Sequence, residues 1–196
     1  MSSMRSSTTK KTEKSTRQLI LDAAARLFVE RGYAGTSVRD IAAELGIANP
    51  SLYYHFKSKG EILGELLSAP LEVVETAVSE AQQLTGDTRT RHVIAGLLAS
   101  LEVHSGIAAI SDRLTEHIPP SLQTRMAATE PLLHRIIAEG AVEEHRDLRV
   151  MMALSALNGT VLAMLQNSES AEAFVAQLSA QREPIIEIAL GILRQP

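Results

Sequence analysis

The chain has 196 residues, of which 45% are hydrophobic, so it can bury a core in one large or two small domains. It contains no cysteine, which excludes disulfides, cysteine-ligated zinc, iron–sulfur clusters and thiol nucleophiles and favours a cytoplasmic location. The N-terminus lacks the apolar segment of a signal peptide, and no uninterrupted run of about 18 apolar residues is available to span a bilayer. No membrane partner is therefore expected.

The net charge of −4 hides a strong asymmetry along the chain. Residues 1–60 hold ten Lys and Arg against five Asp and Glu, whereas residues 61–196 hold nine against eighteen. Five of the six Phe and Tyr residues also lie between Phe28 and Phe56. An excess of basic charge at one end indicates binding to a polyanion. We predict a basic flexible arm, a DNA-binding domain and a larger second domain, at residues 1–14, 15–60 and 61–196.

Helical spacing of apolar residues runs through nearly the whole chain, and no segment alternates as a half-buried strand would, which predicts an all-α fold. The first helix is expected to begin at Ser15 and to stop at Gly32. The second begins at Thr36 or Ser37, where Ser37-x-x-Asp40 resembles a capping box, and closes at Gly46.

A third, short helix is expected three residues later, with Asn49 as N-cap and Pro50 as its first residue. On this helix Leu52 and Phe56 fall about 40° apart and should anchor it to the first two helices. Tyr54 points roughly away from that anchor. The arrangement predicts a helix–turn–helix with an outward face of hydroxyls and aromatic edges, which suits a phosphate-lined groove.

The second part of the chain should be wholly helical. Its first helix starts after Ser58 and contains Pro70, which should kink or break it. Pro131 and Pro184 make two later helix boundaries less certain. The remaining helices are expected at about 88–104, 106–116, 121–139, 147–166 and 171–194.

The stretch AARLFVERGYAGTSVRDIAAELGIANPSLYYHFKSKGEIL, from Ala24 to Leu63, resembles the DNA-binding domain of the tetracycline-repressor (TetR) family of bacterial transcriptional regulators. The resemblance rests on the Gly32-Tyr33 end of the first helix, the spacing within the second, and above all the string LYYHFKSK. Two departures are visible. Gly60 replaces the usual acidic residue, and Asn49-Pro50 replaces the commoner pair at the start of the third helix.

The resemblance implies an all-helical homodimer that represses transcription at a palindromic operator. The third helix of each protomer would enter a major groove, and the larger C-terminal domain would bind a small molecule that changes DNA affinity. It also implies that Ser37, Tyr53, Tyr54 and Lys59 contact phosphates or bases. The full set of candidate DNA-binding residues is Lys10, Lys11, Lys14, Arg17, Thr36, Ser37, Asn49, Pro50, Ser51, Tyr53, Tyr54, His55 and Lys59.

Some members of that set have a second interpretation. His55 lies on the flank of the third helix, where a structural histidine is favoured over a DNA contact. The basic cluster of Lys10, Lys11, Lys14 and Arg17 could equally form a solvated tail.

The segment from Val150 to Leu165 is apolar nearly all round, as a helix buried on two sides should be. The resemblance assigns one side to a ligand cavity and the other to a four-helix dimer interface. Because Phe174 is the only aromatic residue beyond position 60, we expect an aliphatic cavity for an apolar or amphipathic molecule, neutral or weakly acidic. Candidate ligand-binding residues are His104, Arg113, His117, Met126, Met151, Leu154, Asn158 and Leu162.

No pattern in the sequence indicates an enzyme. The histidines form no i, i+4 pair or HExxH string, and no phosphate-binding glycine loop or GxSxG string is present, so no catalytic residue, metal or cofactor is expected. Two alternatives to a ligand-responsive regulator stay open. One is a non-specific architectural DNA-binding protein, and the other is a regulator controlled by a protein partner.

Overall fold

The structure, a computed structural model, describes residues 15–103 and 116–194. Within these residues it contains eight α-helices, a short 3₁₀ turn at Ala81–Gln83 and no strand, which confirms the all-α class. The helix expected at 106–116 lies almost entirely outside the described residues. The helices are α1 Thr16–Arg31, α2 Val38–Glu44, α3 Asn49–His55, α4 Lys59–Glu80, α5 Gly86–Glu102, α6 Pro120–Glu139, α7 Arg146–Asn167 and α8 Ala171–Arg194.

Local capping signals define the ends of α1 and α2. The Ser15 hydroxyl accepts a hydrogen bond from the Gln18 amide at the start of α1, which ends at Gly32 with φ 74°. At α2 the predicted capping box forms completely between Ser37 and Asp40. Gly46, with φ 65°, then ends α2 by turning the chain into the left-handed region that glycine tolerates best.

The start of α3 differs from the prediction by one residue. Ala48 is the N-cap, Asn49 the first helical residue and Pro50 the second. The shift arises because the Ala48 carbonyl accepts from the amides of Ser51 and Leu52, at 2.9 and 3.3 Å. Asn49 is therefore inside the first turn, and its side chain caps no amide.

Pro70 does not break α4, which continues to Glu80, so the expectation of a break there is wrong. Pro131 and Pro184 likewise lie inside α6 and α8 without ending them. Pro70 is itself buried, and packing of α4 against α5 and α6 extends on both sides of it. Tertiary contacts of this kind outweigh the loss of one backbone hydrogen bond.

Two clusters of buried apolar side chains form the core. The first joins α1, α2 and α3 to the first half of α4, and the second joins the other half of α4 to α5, α6, α7 and α8. Ile118 and Leu122, which belong to the second part of the chain, are buried in the first cluster. The boundary expected near residue 60 therefore marks the end of the helix–turn–helix and not a division in packing.

Only one side of α7 is buried in the single chain. Its Val150, Ala153, Leu157 and Val161 lie in the second cluster, but Met151 on the other side is 61% exposed. Burial of the second side, which the resemblance assigns to a dimer interface, stays a prediction. By length and mean hydropathy, 1.6 over 18 residues, α7 could also cross a membrane, although its inner face packs as the core helix of a globular protein does.

Candidate DNA-binding surface and ligand cavity

Helix α3 has an anchored face and an exposed face, as its sequence predicted. The side chains of Leu52 and Phe56 are completely buried in the first cluster. Tyr53 is 51% exposed and Tyr54 87% exposed, with the ring of Tyr54 edge-on to His55 at 5.2 Å. Pro50 and Ser51 at the start of α3 are also exposed, whereas Asn49 is half-buried. The exposed face presents two phenols and one aliphatic hydroxyl without a carboxylate.

The two hydroxyl residues before α2 have different surroundings. Thr36 is buried, and its hydroxyl lies 2.9 Å from the Gly32 carbonyl and 3.2 Å from that of Leu27. It therefore donates its hydrogen bond to the backbone at the end of α1. Ser37 is exposed, and its hydroxyl donates to the Asp40 carboxylate at 2.6 Å. That bond, with the bond from the Ser37 amide, holds the pKa of Asp40 below its usual value. Of the pair, only Ser37 is exposed.

The Lys59 side chain forms its contacts with residues of the α1–α2 connection. Its Nζ donates to the carbonyls of Tyr33 and Thr36, both at 2.7 Å, and lies 4.0 Å from the centre of the Tyr33 ring. Partial burial lowers the pKa of Lys59. The ammonium thus ties the start of α4 to the α1–α2 connection. This placement differs from the phosphate contact that the resemblance implied.

Arg17 is also engaged within the domain. It forms an ion pair with Glu65 on α4, and its guanidinium carbon lies 4.5 Å from the centre of the Phe56 ring. Lys10, Lys11 and Lys14 fall outside the described residues.

Two cations of the N-terminal part were not among the candidate DNA-binding residues. Arg39 on α2 and Lys57 between α3 and α4 are both exposed. In the described part of the chain neither side chain forms an ion pair or hydrogen bond; only the Lys57 amide does, to Glu61 at 2.6 Å. Lys57 lies just after α3, and Arg39 lies on α2, which contacts α3. Their closeness in sequence to the candidates Ser37 and His55 could have added both to the set.

A cavity of about 360 Å³ lies between α4, α5, α6 and α7. Three predicted ligand-binding residues line it: Met126, Leu154 and Asn158. The other residues that line it are Leu67, Pro70, Leu71, Val74, Leu97, Ser100, Leu101, Thr129, Glu130, Leu133, His134 and Leu157. A cavity lined mainly by aliphatic side chains with a few polar groups is typical of small-molecule sites.

Three of the predicted ligand-binding residues lie elsewhere, and His104 and Arg113 are outside the described residues. His117 stacks on Tyr33 with ring centres 4.5 Å apart. Met151 is on the exposed side of α7, and Leu162 packs against the first cluster. Helical periodicity placed Met151 and Leu162 on one face with Leu154, but the cavity spans less than two turns of α7, so the ends of that face lie beyond it.

Two of the polar side chains in the cavity lining are already bonded. The Ser100 hydroxyl donates to the Leu97 carbonyl at 2.7 Å, and the Thr129 hydroxyl donates to the Arg125 carbonyl at 2.9 Å. The side chains of Glu130, His134 and Asn158 form no hydrogen bond with any described residue. Asn158 therefore forms no structural hydrogen bond in this part of the chain, and it belongs to the cavity lining.

Arg125 on α6 bridges the two sides of Pro70 on α4. Its Nε and Nη2 donate to the two carboxylate oxygens of Glu75, at 3.1 and 2.6 Å, and its Nη1 donates to the Ser68 hydroxyl at 3.0 Å. The bond to Glu75 raises the pKa of Arg125. The bidentate pair holds α4 and α6 together beside the cavity.

The first turn of α6 and the residues before it connect the cavity helices to the DNA-binding domain. His117 stacks on Tyr33, and Ile118 is buried in the first cluster. Pro119 lies so close to α4 that a Cβ placed on Gly64 would be 3.1 Å from its Cγ. Helix α6 thus contacts the DNA-binding domain at one end and lines the cavity along its middle.

In the described residues these features define an all-helical protein with an N-terminal helix–turn–helix, an exposed face on its third helix, and a helical second part with a partly open cavity. Residues 20–66 match the family described as bacterial regulatory proteins, tetR family. The match covers α2, α3 and parts of α1 and α4, the same region on which the sequence resemblance rests.

Curated relatives match mainly through the N-terminal part. The HTH-type transcriptional repressor KstR2 of Mycolicibacterium smegmatis is 41% identical over 80 residues, which are 37% of this chain and 39% of the repressor. The chain thus matches about two fifths of the length of that relative. The HTH-type transcriptional activator FasR of the same species is 28% identical over 149 residues, 71% of this chain and 67% of the activator.

Solved structures match over most of the chain. The ketosteroid transcriptional regulator KstR2 of Mycobacterium tuberculosis superimposes with a TM-score of 0.62 at 22% identity, covering 89% of this chain and 95% of that one. Mycobacterium smegmatis AmtR gives 0.65 at 23% identity, covering 94% and 88%. At this identity the similarity establishes the fold.

Proposed function

We propose that the protein is a ligand-responsive transcriptional repressor in the bacterial cytoplasm that binds a palindromic operator as a homodimer. The observation that carries the proposal is the division of α3 into a buried anchor, Leu52 and Phe56, and an exposed face with Ser51, Tyr53 and Tyr54. Such a face can enter a major groove while the exposed cations Arg39 and Lys57 meet phosphates. The repressors among the relatives support the sign of regulation.

The test is DNA binding at a defined site. We expect the full chain to protect a short two-fold-symmetric sequence from cleavage in DNA flanking its own coding region. We expect that complex to survive an excess of random DNA, because base contacts add to the phosphate contacts that all sequences offer. Equal affinity for all sequences would instead identify an architectural DNA-binding protein.

The first turn of α3 should read bases. We predict that Ser51→Ala changes the preference at one operator position by about 1–3 kcal/mol, because an exposed hydroxyl in a groove can donate to or accept from a base edge. Affinities for a set of single-position operator variants measure this change. A uniform loss across all variants would assign Ser51 to the phosphates.

The exposed apolar side of α7 and α8 supports a dimer. Leu148, Met151 and Met152 on α7 and Ile188 on α8 are all more than half exposed, which is unusual for large apolar side chains unless a partner covers them. One recognition helix buries too little surface for tight specific binding. A dimer places two of them about 34–36 Å apart or at a multiple of that spacing.

We predict that Met151→Lys raises the dimer dissociation constant at least about tenfold and weakens operator binding with it, because the charge would be buried at the interface. Sedimentation over a range of concentrations measures the dissociation constant. Leu132→Lys is the matched control, since Leu132 is exposed on α6, outside that side of the molecule. A wild-type chain that is monomeric at micromolar concentration and binds DNA one protomer at a time would contradict the dimer.

The response to a ligand is proposed to pass through α4 and α6 together. Both helices line the cavity, both contact the DNA-binding domain, and Arg125 joins them across Pro70. A ligand changes DNA affinity only if it prefers one arrangement of these helices over another. If a protein partner is the regulator instead, small molecules that bind the cavity will leave operator affinity unchanged.

A further inference from the structure

The described part of the cavity is aliphatic and carries no cation. Leucine, valine, methionine and proline side chains form most of its lining, and no aromatic ring is among them. Its volume of about 360 Å³ is at the lower end of the range for small-molecule sites. Arg125, on the same helix as the polar lining residues, has its guanidinium bonded to Glu75 and Ser68. An anionic group in the cavity would find no Lys or Arg among the described lining residues.

The polar groups in the described lining lie on α5, α6 and α7. Glu130 and His134 lie one turn apart on α6, and Asn158 lies on α7. The hydroxyls of Ser100 and Thr129 donate to helix carbonyls, so towards a ligand they offer mainly their oxygen lone pairs. Among the described lining residues acceptor oxygens thus outnumber free donors, and their one formal charge is the negative charge of Glu130.

We infer that the cavity binds an aliphatic molecule whose head is an alcohol or an amine. This head is not acidic, and it donates a hydrogen bond to the Glu130 carboxylate. This inference rests on the proposed function only for the claim that the ligand regulates DNA binding. It changes the class expected from the sequence: it adds basic heads and removes weakly acidic ones, because the carboxylate in the lining repels a like charge.

The test compares three probes with the same aliphatic chain: 1-decanol, decylamine and decanoic acid. Each is titrated calorimetrically into the full chain at neutral pH, below the concentration at which it forms micelles. We expect the amine and the alcohol to bind and the acid to bind more weakly. Glu130→Gln should lower the affinity for decylamine by about twofold to fivefold and raise that for decanoic acid by a similar factor, since the carboxylate is exposed at the rim.

Glu143→Gln is the matched control, because Glu143 is an exposed carboxylate outside the cavity lining. It should leave the order and the affinities of the three probes unchanged. Tightest binding of decanoic acid to the wild-type chain would overturn the inference. So would an equal response of all three probes to Glu130→Gln, which would assign Glu130 a merely structural role.

Operator affinity with and without each probe separates the inference from the proposed function. Binding of the amine or alcohol that leaves operator affinity unchanged supports the ligand class and contradicts the ligand response. Failure of all three probes to bind a chain that still recognises its operator overturns the inference and leaves DNA-binding regulation standing.

Discussion

Phe56→Ala should lower the free energy of unfolding by about 3–5 kcal/mol. The Phe56 ring is fully buried against α1 and α4, where it also lies under the guanidinium of Arg17. Removing it leaves a cavity in the smaller of the two clusters and frees the end of α3. Denaturant unfolding followed by circular dichroism measures the loss of stability, and DNA binding should fall in parallel because α3 loses its anchor.

Tyr54→Ala is the matched control, since it removes another aromatic ring from the same helix. Tyr54 is 87% exposed, so its loss should change stability by less than about 0.5 kcal/mol while it weakens DNA binding. The pair separates anchoring from contact with DNA. A large loss of stability in Tyr54→Ala with none in Phe56→Ala would reverse the two faces of α3.

Lys59→Met should lower the free energy of unfolding by about 1.5–3 kcal/mol, the range for hydrogen bonds to a charged group. The substitution removes the donors to the Tyr33 and Thr36 carbonyls but keeps most of the aliphatic stem. The α1–α2 connection then loses its tie to α4. Chemical denaturation measures the change in stability, and the dependence of operator affinity on salt is measured in parallel.

Lys57→Met is the control two residues away. The Lys57 side chain is exposed, so its loss should leave stability unchanged and reduce the salt dependence of operator affinity by about one phosphate contact. The Lys59 substitution should leave that salt dependence nearly unchanged. The opposite pattern, in which Lys59 sets the salt dependence and Lys57 has no effect, would return the phosphate contact to Lys59.

The sequence predicted the ends of the first helices well, because these ends depend on interactions between residues close together in the chain. Ser37 and Asp40 are three residues apart, and Gly46 ends α2 through its own backbone conformation, so both features can be identified without a fold. The anchor of α3 was predictable for a similar reason, since the spacing of Leu52 and Phe56 places both on one side of a helix.

The functions of single polar side chains were harder to predict because their partners are distant in sequence. Lys59 Nζ bonds to carbonyls 26 and 23 residues away, and His117 stacks on a ring 84 positions earlier in the chain. Neither contact produces a periodic pattern in the sequence from which it could be predicted. The continuation of α4 through Pro70 was mispredicted for the same reason. The neighbouring helices that stabilise α4 are not part of an argument from the helix propensity of one segment.

The burial of Ile118 and Leu122 in the first cluster affects how this protein can be cut and recombined. A fragment that ends at residue 60 would contain α3 but lack these two side chains and the buried residues of α4. Part of its core would therefore face water. A chimera could join this helix–turn–helix to the ligand-binding part of another protein. That part would then have to supply two apolar residues that fill the places of Ile118 and Leu122. Transplanting the operator specificity therefore requires the helix–turn–helix, the first half of α4 and the 117–122 segment to be moved together.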